Sequence, residues 1–231
     1  MYKKSGQLNK VMIMRHSTKE ALLDAAIRLF SQSGYNAVSM RDIAKEADAN
    51  LGSLTYHFGS KANLLRQIYE RHTQPMNARR LELLGEAKRL RDPDERLIAI
   101  LRAYVMPAYM SSSDHDGGGA EFTRMRAILS AESNSDAQLI IAEAFDDTSR
   151  IFIEAIADCV PGADQAGLVW RSQFLLGALY YALINPDRVT RLSGGQVDGN
   201  DRNAAIQHLV EASFHSFRGL KASTTSTHHM S

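Results

Sequence analysis

A chain of 231 residues, 44% hydrophobic and 23% charged, can build a sizeable core, either as one large domain or as a small domain followed by a larger one. It has no run of about 20 uncharged apolar residues of the kind a membrane span needs, and the apolar stretch 11–14 behind Lys3 and Lys4 is too short for a secretory core. A single cysteine, Cys159, leaves no internal disulfide framework and no cysteine-based zinc site, so the expectation is a cytoplasmic protein with no membrane association. Net charge is only +1, but residues 1–72 hold 11 Lys/Arg against 6 Asp/Glu and the remainder 16 against 20. A basic first third on an acidic body fits a polyanion partner for that third.

Helical periodicity runs through nearly the whole chain. "STKEALLDAAIRLFSQSGY" opens with Ser17 and Glu20 at capping-box spacing. Leu22, Ala26, Leu29 and Phe30 then share one face, and Gly34 is placed to end the helix at positive φ. In "SMRDIAKEAD" Ser39 is the cap, Asp42 stands three residues on, and Met40, Ile43, Ala44 and Ala47 form the apolar face. Asn50 caps a third helix of about two turns over 51–57. Ser60 caps a fourth, with Leu64, Leu65, Ile68 and Tyr69 at helical spacing, and Pro75 is expected to break it before "MNARRLELLGEAKRL".

The larger remainder reads the same way. Asp92-Pro93-Asp94-Glu95 is a helix start, with proline in the first helical position and acids in the first turn. This helix extends to about Met110 with a kink at Pro107. "SSSDHDGGG" is a surface loop, and helices are expected over 120–132, 136–159, 164–184 and 201–218. "NPDRVTRLSGGQVDGN" reads as a break between the last two, and the closing "KASTTSTHHMS" as a disordered tail. No alternating strand and no internal repeat is found, so the fold class is all-α. The organisation expected is an arm over 1–16, a small helical domain over 17–63, a larger helical domain over 64–220 and a tail over 221–231.

The segment "ANLGSLTYHFGSK" (49–61) sets a puzzle, because Gly52 costs a helix about 1 kcal/mol relative to alanine. Two helices joined by Asp48-Ala49-Asn50 suit a helix-turn-helix whose second helix enters the major groove. Gly52 would then let backbone approach DNA, with Ser53, Thr55 and Tyr56 meeting phosphates and base edges and Leu54 and Phe58 pointing back to the core. Lys61 is expected to reach a phosphate. The candidate DNA-binding residues are Ser39, Arg41, Asn50, Leu51, Gly52, Ser53, Thr55, Tyr56, His57 and Lys61, with Lys3, Lys4, Lys10 and Arg15 of the arm as further contacts.

Residues 18–65 resemble the DNA-binding domain of the tetracycline-repressor (TetR) family of bacterial transcription regulators. The likeness is densest at Asn50, Gly52, Leu54, Tyr56, His57, Phe58, Lys61 and Leu64, and Thr55 departs from it where most members carry tyrosine. The resemblance implies a larger helical domain that binds a small molecule and a homodimer formed through the last two long helices, here 164–184 and 201–218. It also implies a double-stranded DNA operator and, most often, repression. "FTRMRAILSAESN" and "LVWRSQFLLGALYYAL" loosely resemble a subgroup that senses fatty acids or acyl-CoA esters.

The helix "LVWRSQFLLGALYYALI" is apolar nearly all round and should be buried nearly all round, with Gly177, Ala178 and Ala182 small enough for close helix approach. Candidate ligand-binding residues are Tyr104, Phe122, Arg124, Met125, Phe145, Arg150, Phe152, Trp170, Arg171, Phe174 and Tyr181. Arg171, Arg124 or Arg150 would be open to an acidic group, unless a neighbouring carboxylate holds it. The effector class that follows is a largely apolar fatty acid, acyl-CoA or aromatic acid. His208 and His215 lie seven apart without a carboxylate to complete a metal set, Cys159 reads as a packing residue, and no phosphate loop or nucleophile elbow is found. No cofactor and no catalytic residue is expected; an all-α enzyme with a fortuitous turn motif is the competing reading.

Overall fold

Short polar residues set the helix starts. Ser39 accepts the Asp42 amide while the Asp42 carboxylate takes the Ser39 amide, a reciprocal capping box. Asn50 Oδ1 accepts the Ser53 amide at 2.7 Å, Ser60 accepts that of Asn63, and Asp92 accepts two amides beside Pro93. The computed structural model describes residues 18–110 and 119–220. The expected Ser17 cap, the basic arm, the surface loop over 111–118 and the tail lie outside the described residues.

Among the described residues the chain is all helix: α1 (Thr18–Ala37), α2 (Met40–Glu46), α3 (Leu51–Phe58), α4 (Lys61–Ala87), α5 (Pro93–Tyr109), α6 (Ala120–Ala131), α7 (Ser135–Ala157), α8 (Gln165–Ile184), α9 (Pro186–Leu192) and α10 (Arg202–Arg218). The expected all-α class and the sequence of a small helix-turn-helix unit and a larger helical part are both present. Two expectations need correction. Pro75 does not break α4, which continues for 27 residues. A proline removes one backbone hydrogen bond, but Thr73, Met76 and Arg80 are buried on both sides of it and hold the turns together. The segment read as a break after α8 contains the short helix α9, started by Pro186 at its first position.

Packing divides into two apolar clusters. The first joins Leu22 and Phe30 of α1, Ile43 of α2 and Leu54 of α3 to Ile68 and Tyr69 of α4, Phe122 of α6 and Phe145 of α7. The second joins the far end of α4 to α5, α7, α8 and α10. Thus the helix-turn-helix is not tethered to the larger part by a linker; α4 runs through both, and α6 packs along α1.

One junction ties these elements together. Gly34 sits at φ 79°, ψ 172° and turns the end of α1, a backbone region that side-chain-bearing residues rarely enter. The Glu132 carboxylate lies where a Gly34 side chain would be and accepts the amides of Tyr35 at 3.0 Å and Asn36 at 3.2 Å. From the other side Lys61 Nζ donates to the carbonyls of Tyr35 and Val38, both at 2.8 Å, and lies 4.2 Å from the Tyr35 ring centroid. Burial makes the Lys61 ammonium less favourable than in water, and the Glu132 charge opposes that shift. Gly34→Ala therefore both strains the backbone and displaces Glu132. Its urea midpoint should fall by more than the roughly 1 kcal/mol equivalent that a β-carbon at positive φ costs alone, with an unchanged m-value.

Candidate DNA-binding face and ligand cavity

On α3, Leu54 and Phe58 are buried in the first apolar cluster. One helical face is thereby fixed inward, and Gly52 and Tyr56, four residues apart, form the stripe opposite. Tyr56 is 86% exposed; its ring makes an edge contact with His57, centroids 5.4 Å apart, and otherwise projects from the surface. Leu51, Gly52 and Thr55 are exposed beside it, as are Ser39 and Arg41 at the start of α2, while Ser53 and His57 are half-buried. The left-handed turn before α3 falls at Asp48, φ 49°. An exposed aromatic phenol beside a glycine on a short capped helix, with Arg41 and Lys45 exposed on the preceding one, has the composition of a groove-reading surface.

Several expected contacts have other duties. Lys61 is half-buried; its ammonium gives two of its three protons to the Tyr35 and Val38 carbonyls, acceptors left open once Gly34 turns the chain at the end of α1. Thr55 Oγ1 donates to the Leu51 carbonyl at 2.9 Å, so its proton is not free for a phosphate oxygen. Asn50 is occupied as the α3 cap. A side chain at Gly52 would meet Asn50 Oδ1 at 3.2 Å, so the glycine protects that cap as well as leaving the surface open.

The larger part of the chain holds a cavity of about 270 Å³, open on one side. Its apolar wall includes Ile141, Phe152, Ile153, Ile156 and Leu176, and its polar wall includes Tyr104, Arg126, Ser130, Ser149 and Tyr180. Arg126 is 4% exposed. Its guanidinium lies 3.4 Å from the Phe145 ring centroid and 5.4 Å from that of Tyr180. Behind it Arg80 of α4 is 1% exposed, donates Nε to the Tyr104 carbonyl at 3.0 Å and stacks 4.3 Å from the Tyr104 ring centroid. Burial lowers the Arg80 pKa to about 10, with the Arg126 charge adding to that shift, so the Arg80 guanidinium is still cationic at neutral pH. Burial raises the Tyr104 phenol, but Arg80, Arg126 and the facing Ser149 outweigh it and bring its pKa below the ordinary value. Burial pushes the Tyr180 phenol up instead.

Of the expected ligand residues, Tyr104, Phe145 and Phe152 line this cavity, whereas Phe122 and Met125 are packed in the first apolar cluster. The three arginines chosen from the sequence are occupied elsewhere. Arg124 donates to the Leu183 carbonyl at 2.9 Å and Arg171 to the Ser216 carbonyl at 2.7 Å, both joining helices of the fold. Arg150 is exposed and paired with Asp147 and Asp146. Trp170, Phe174 and Tyr181 are 61%, 59% and 52% exposed and share the outer face of α8 rather than lining the cavity. One face of α8 is therefore open in the single chain, the face that the expected partner subunit would cover. Arg126 was passed over although its signal was present: it lies four residues after Phe122 and one after Met125, on the inward face of α6, while Arg124 lies off it.

This pairing of a capped helix-turn-helix face with a separate helical part holding a cavity defines a DNA-binding transcription regulator, not an enzyme. The family model for bacterial regulatory proteins of the tetR family matches residues 22–68, and the one for the tetracyclin repressor-like C-terminal domain matches residues 102–213. The chain is 30% identical over 167 residues to the HTH-type transcriptional repressor KstR of Rhodococcus jostii (strain RHA1), covering 68% of this chain and 71% of that protein. It is 39% identical over 92 residues to the HTH-type transcriptional regulator AcrR of Shigella flexneri; there the chain spans less than half of the relative, 42%, and 38% of itself. The fold is shared with the transcriptional regulator FadR of Bacillus subtilis, solved in complex with stearoyl-CoA, at a TM-score of 0.52 and 16% identity, covering 82% of this chain and 96% of that one. The chain belongs to the TetR family of transcriptional regulators, whose members are regulators and not catalysts. Among the described residues no helix is long and apolar enough to cross a membrane.

Two substitutions separate the surface from its support. Tyr56→Ala should weaken operator binding by about tenfold or more, the loss of a direct contact of 1–3 kcal/mol, with the thermal unfolding midpoint unchanged. Lys61→Met should lower stability by about 1–3 kcal/mol through the unsatisfied Tyr35 and Val38 carbonyls, measured by urea unfolding. A Lys61 variant of full stability but reduced salt dependence of DNA binding would assign it to a phosphate instead.

Proposed function

We propose that this protein is a homodimeric repressor, released from a near-palindromic operator when a small, largely apolar effector occupies the cavity, and that it works in the cytoplasm. The residues taken to form the DNA-binding part are 17–63, with 64–220 for effector binding and dimerisation. The observation that carries the reading is the placement of α6. Arg126 and Ser130 of this helix line the cavity, and Glu132, at its end, holds the junction between α1 and α2. The long helix α4 makes a second connection, from Lys61 at that junction to Arg80 behind the cavity wall.

An effector can shift the equilibrium only if it binds the DNA-incompetent arrangement more tightly. A ligand that moves Arg126 or Ser130 acts on a rigid helix whose far end grips the helix-turn-helix. Coupling of about 1–3 kcal/mol would give roughly 5–150-fold release. FadR of Bacillus subtilis, solved with stearoyl-CoA, supports an apolar acid or its thioester as the effector class.

The dimer reading is supported by the outer face of α8. Trp170, Phe174 and Tyr181, with Gly177 and Ala178 between them, form an exposed apolar stripe at helical spacing, the kind of patch that marks an interaction surface. A second copy presenting the same stripe, joined by α10, would cover it in an isologous interface and set two α3 helices on half-sites about one helical turn apart, or a multiple of it.

Two measurements test this. Trp170→Glu combined with Phe174→Glu should convert a dimer to a helical monomer in sedimentation at micromolar protein and abolish tight operator binding; a wild-type monomer would remove the dimer. Glu132→Ala should reduce effector-dependent release of a labelled duplex from the protein's own promoter, read by anisotropy at stated salt, to less than about a third of the wild-type ratio. Undiminished release would show that α6 does not carry the signal.

A further inference from the structure

We infer that the cavity receives an amphipathic organic acid whose carboxylate is bound by Arg126. This rests on the reading of the cavity as the effector site and adds what the site selects.

The charge inside the protein is unbalanced. Among the described residues no carboxylate pairs with Arg126 or Arg80, although both are almost completely buried. Asp146 is the carboxylate on the cavity wall, and it is exposed at the rim with Arg150 Nη2 3.7 Å away. A buried guanidinium without a counter-charge is costly, and rings beside it return only part of that cost. Arg126 Nε and the Tyr180 hydroxyl are both buried without a hydrogen-bond partner. Ser130, whose own proton goes to the Arg126 carbonyl at 2.8 Å, stands beside the Tyr180 phenol and interacts with it. A buried guanidinium N–H without an acceptor, beside positive charge and facing the cavity, is what an arriving carboxylate satisfies. Arg80 adds a second positive charge from behind without reaching for the ligand, since its Nε is held by the Tyr104 carbonyl.

Opposite the arginine the wall turns apolar, through Ile141, Phe152, Ile153, Ile156 and Leu176. The ligand is therefore amphipathic: one anionic end, one hydrocarbon or aromatic body. Size agrees with this: a cavity of about 270 Å³ takes the body of a medium-chain or phenyl-substituted alkanoic acid. A CoA thioester has no carboxylate for Arg126.

The test is calorimetric titration of the full-length protein with octanoate and 4-phenylbutyrate, with octan-1-ol and 4-phenylbutan-1-ol as neutral counterparts of matching shape, and with stearoyl-CoA. At least one acid should bind about tenfold or more tightly than its alcohol, as loss of a charge-assisted hydrogen bond implies. Arg126→Met should abolish the preference for the acid, and Tyr180→Phe should weaken the acid by a few-fold while leaving the alcohol unchanged. The Tyr180 variant removes a single hydroxyl and keeps the test open if Arg126→Met does not fold. Equal affinity for acid and alcohol, undiminished acid binding in both variants, binding of stearoyl-CoA alone, or binding of none of the probes would each overturn the inference. Repeating the titrations on operator-bound protein separates the two levels. An acid that binds but leaves DNA bound upholds the acid site and sinks the effector reading, whereas release by the alcohols with no acid preference sinks the acid site and upholds the effector reading.

Discussion

The junction at the end of α1 governs how the rest of the molecule is connected. Gly34 turns the chain at positive φ, which exposes amides on one side and carbonyls on the other. Such groups, buried and unpaired, cost about 1–3 kcal/mol each. A carboxylate from α6 takes the amides and an ammonium from α4 takes the carbonyls. The turn that places the helix-turn-helix is therefore completed by two side chains, one at the end of a helix that borders the cavity and one from the helix behind its wall. Gly34 is doubly determined, since the same position that needs positive φ must also leave room for Glu132.

Electrostatics inside the larger part follow from a different constraint. Arg80 and Arg126 are held among aromatic rings, Tyr104, Phe145 and Tyr180, which tolerate a cation on their faces but do not neutralise it. Surface arginines such as Arg66 and Arg71 have carboxylate partners. The contrast makes the interior pair the distinctive charge feature of the described residues. It also explains why the phenols on either side of the cavity shift in opposite senses: Tyr104 faces both guanidiniums, whereas desolvation prevails at Tyr180.

What each end of the molecule does depends on side chains that packing sets free. On α3, burial of Leu54 and Phe58 forces Tyr56 outward. On α8, burial of Leu168, Leu175, Leu179 and Leu183 along one face forces Trp170, Phe174 and Tyr181 outward on the other. The first is a single aromatic beside polar neighbours, suited to DNA; the second is a continuous apolar stripe, suited to a like surface.

The sequence by itself determined what local rules control: the all-α class, the caps at Ser39, Asn50, Ser60 and Asp92, the helix-turn-helix with Leu54 and Phe58 inward, and Tyr104, Phe145 and Phe152 at the cavity. These follow from spacing of 3.6 and from short polar residues that bond their own helix. Tertiary structure alone decided where the long polar side chains go. Lys61, Arg124 and Arg171 each end on a carbonyl of a distant segment, and Glu132 reaches amides nearly a hundred positions away in the chain. Pro75 inside α4 and the outward face of α8 were likewise settled by neighbours. A flexible charged side chain carries no periodic signal of its partner; the partner exists only once the helices are packed, and the cost of leaving a buried polar group unpaired then selects it.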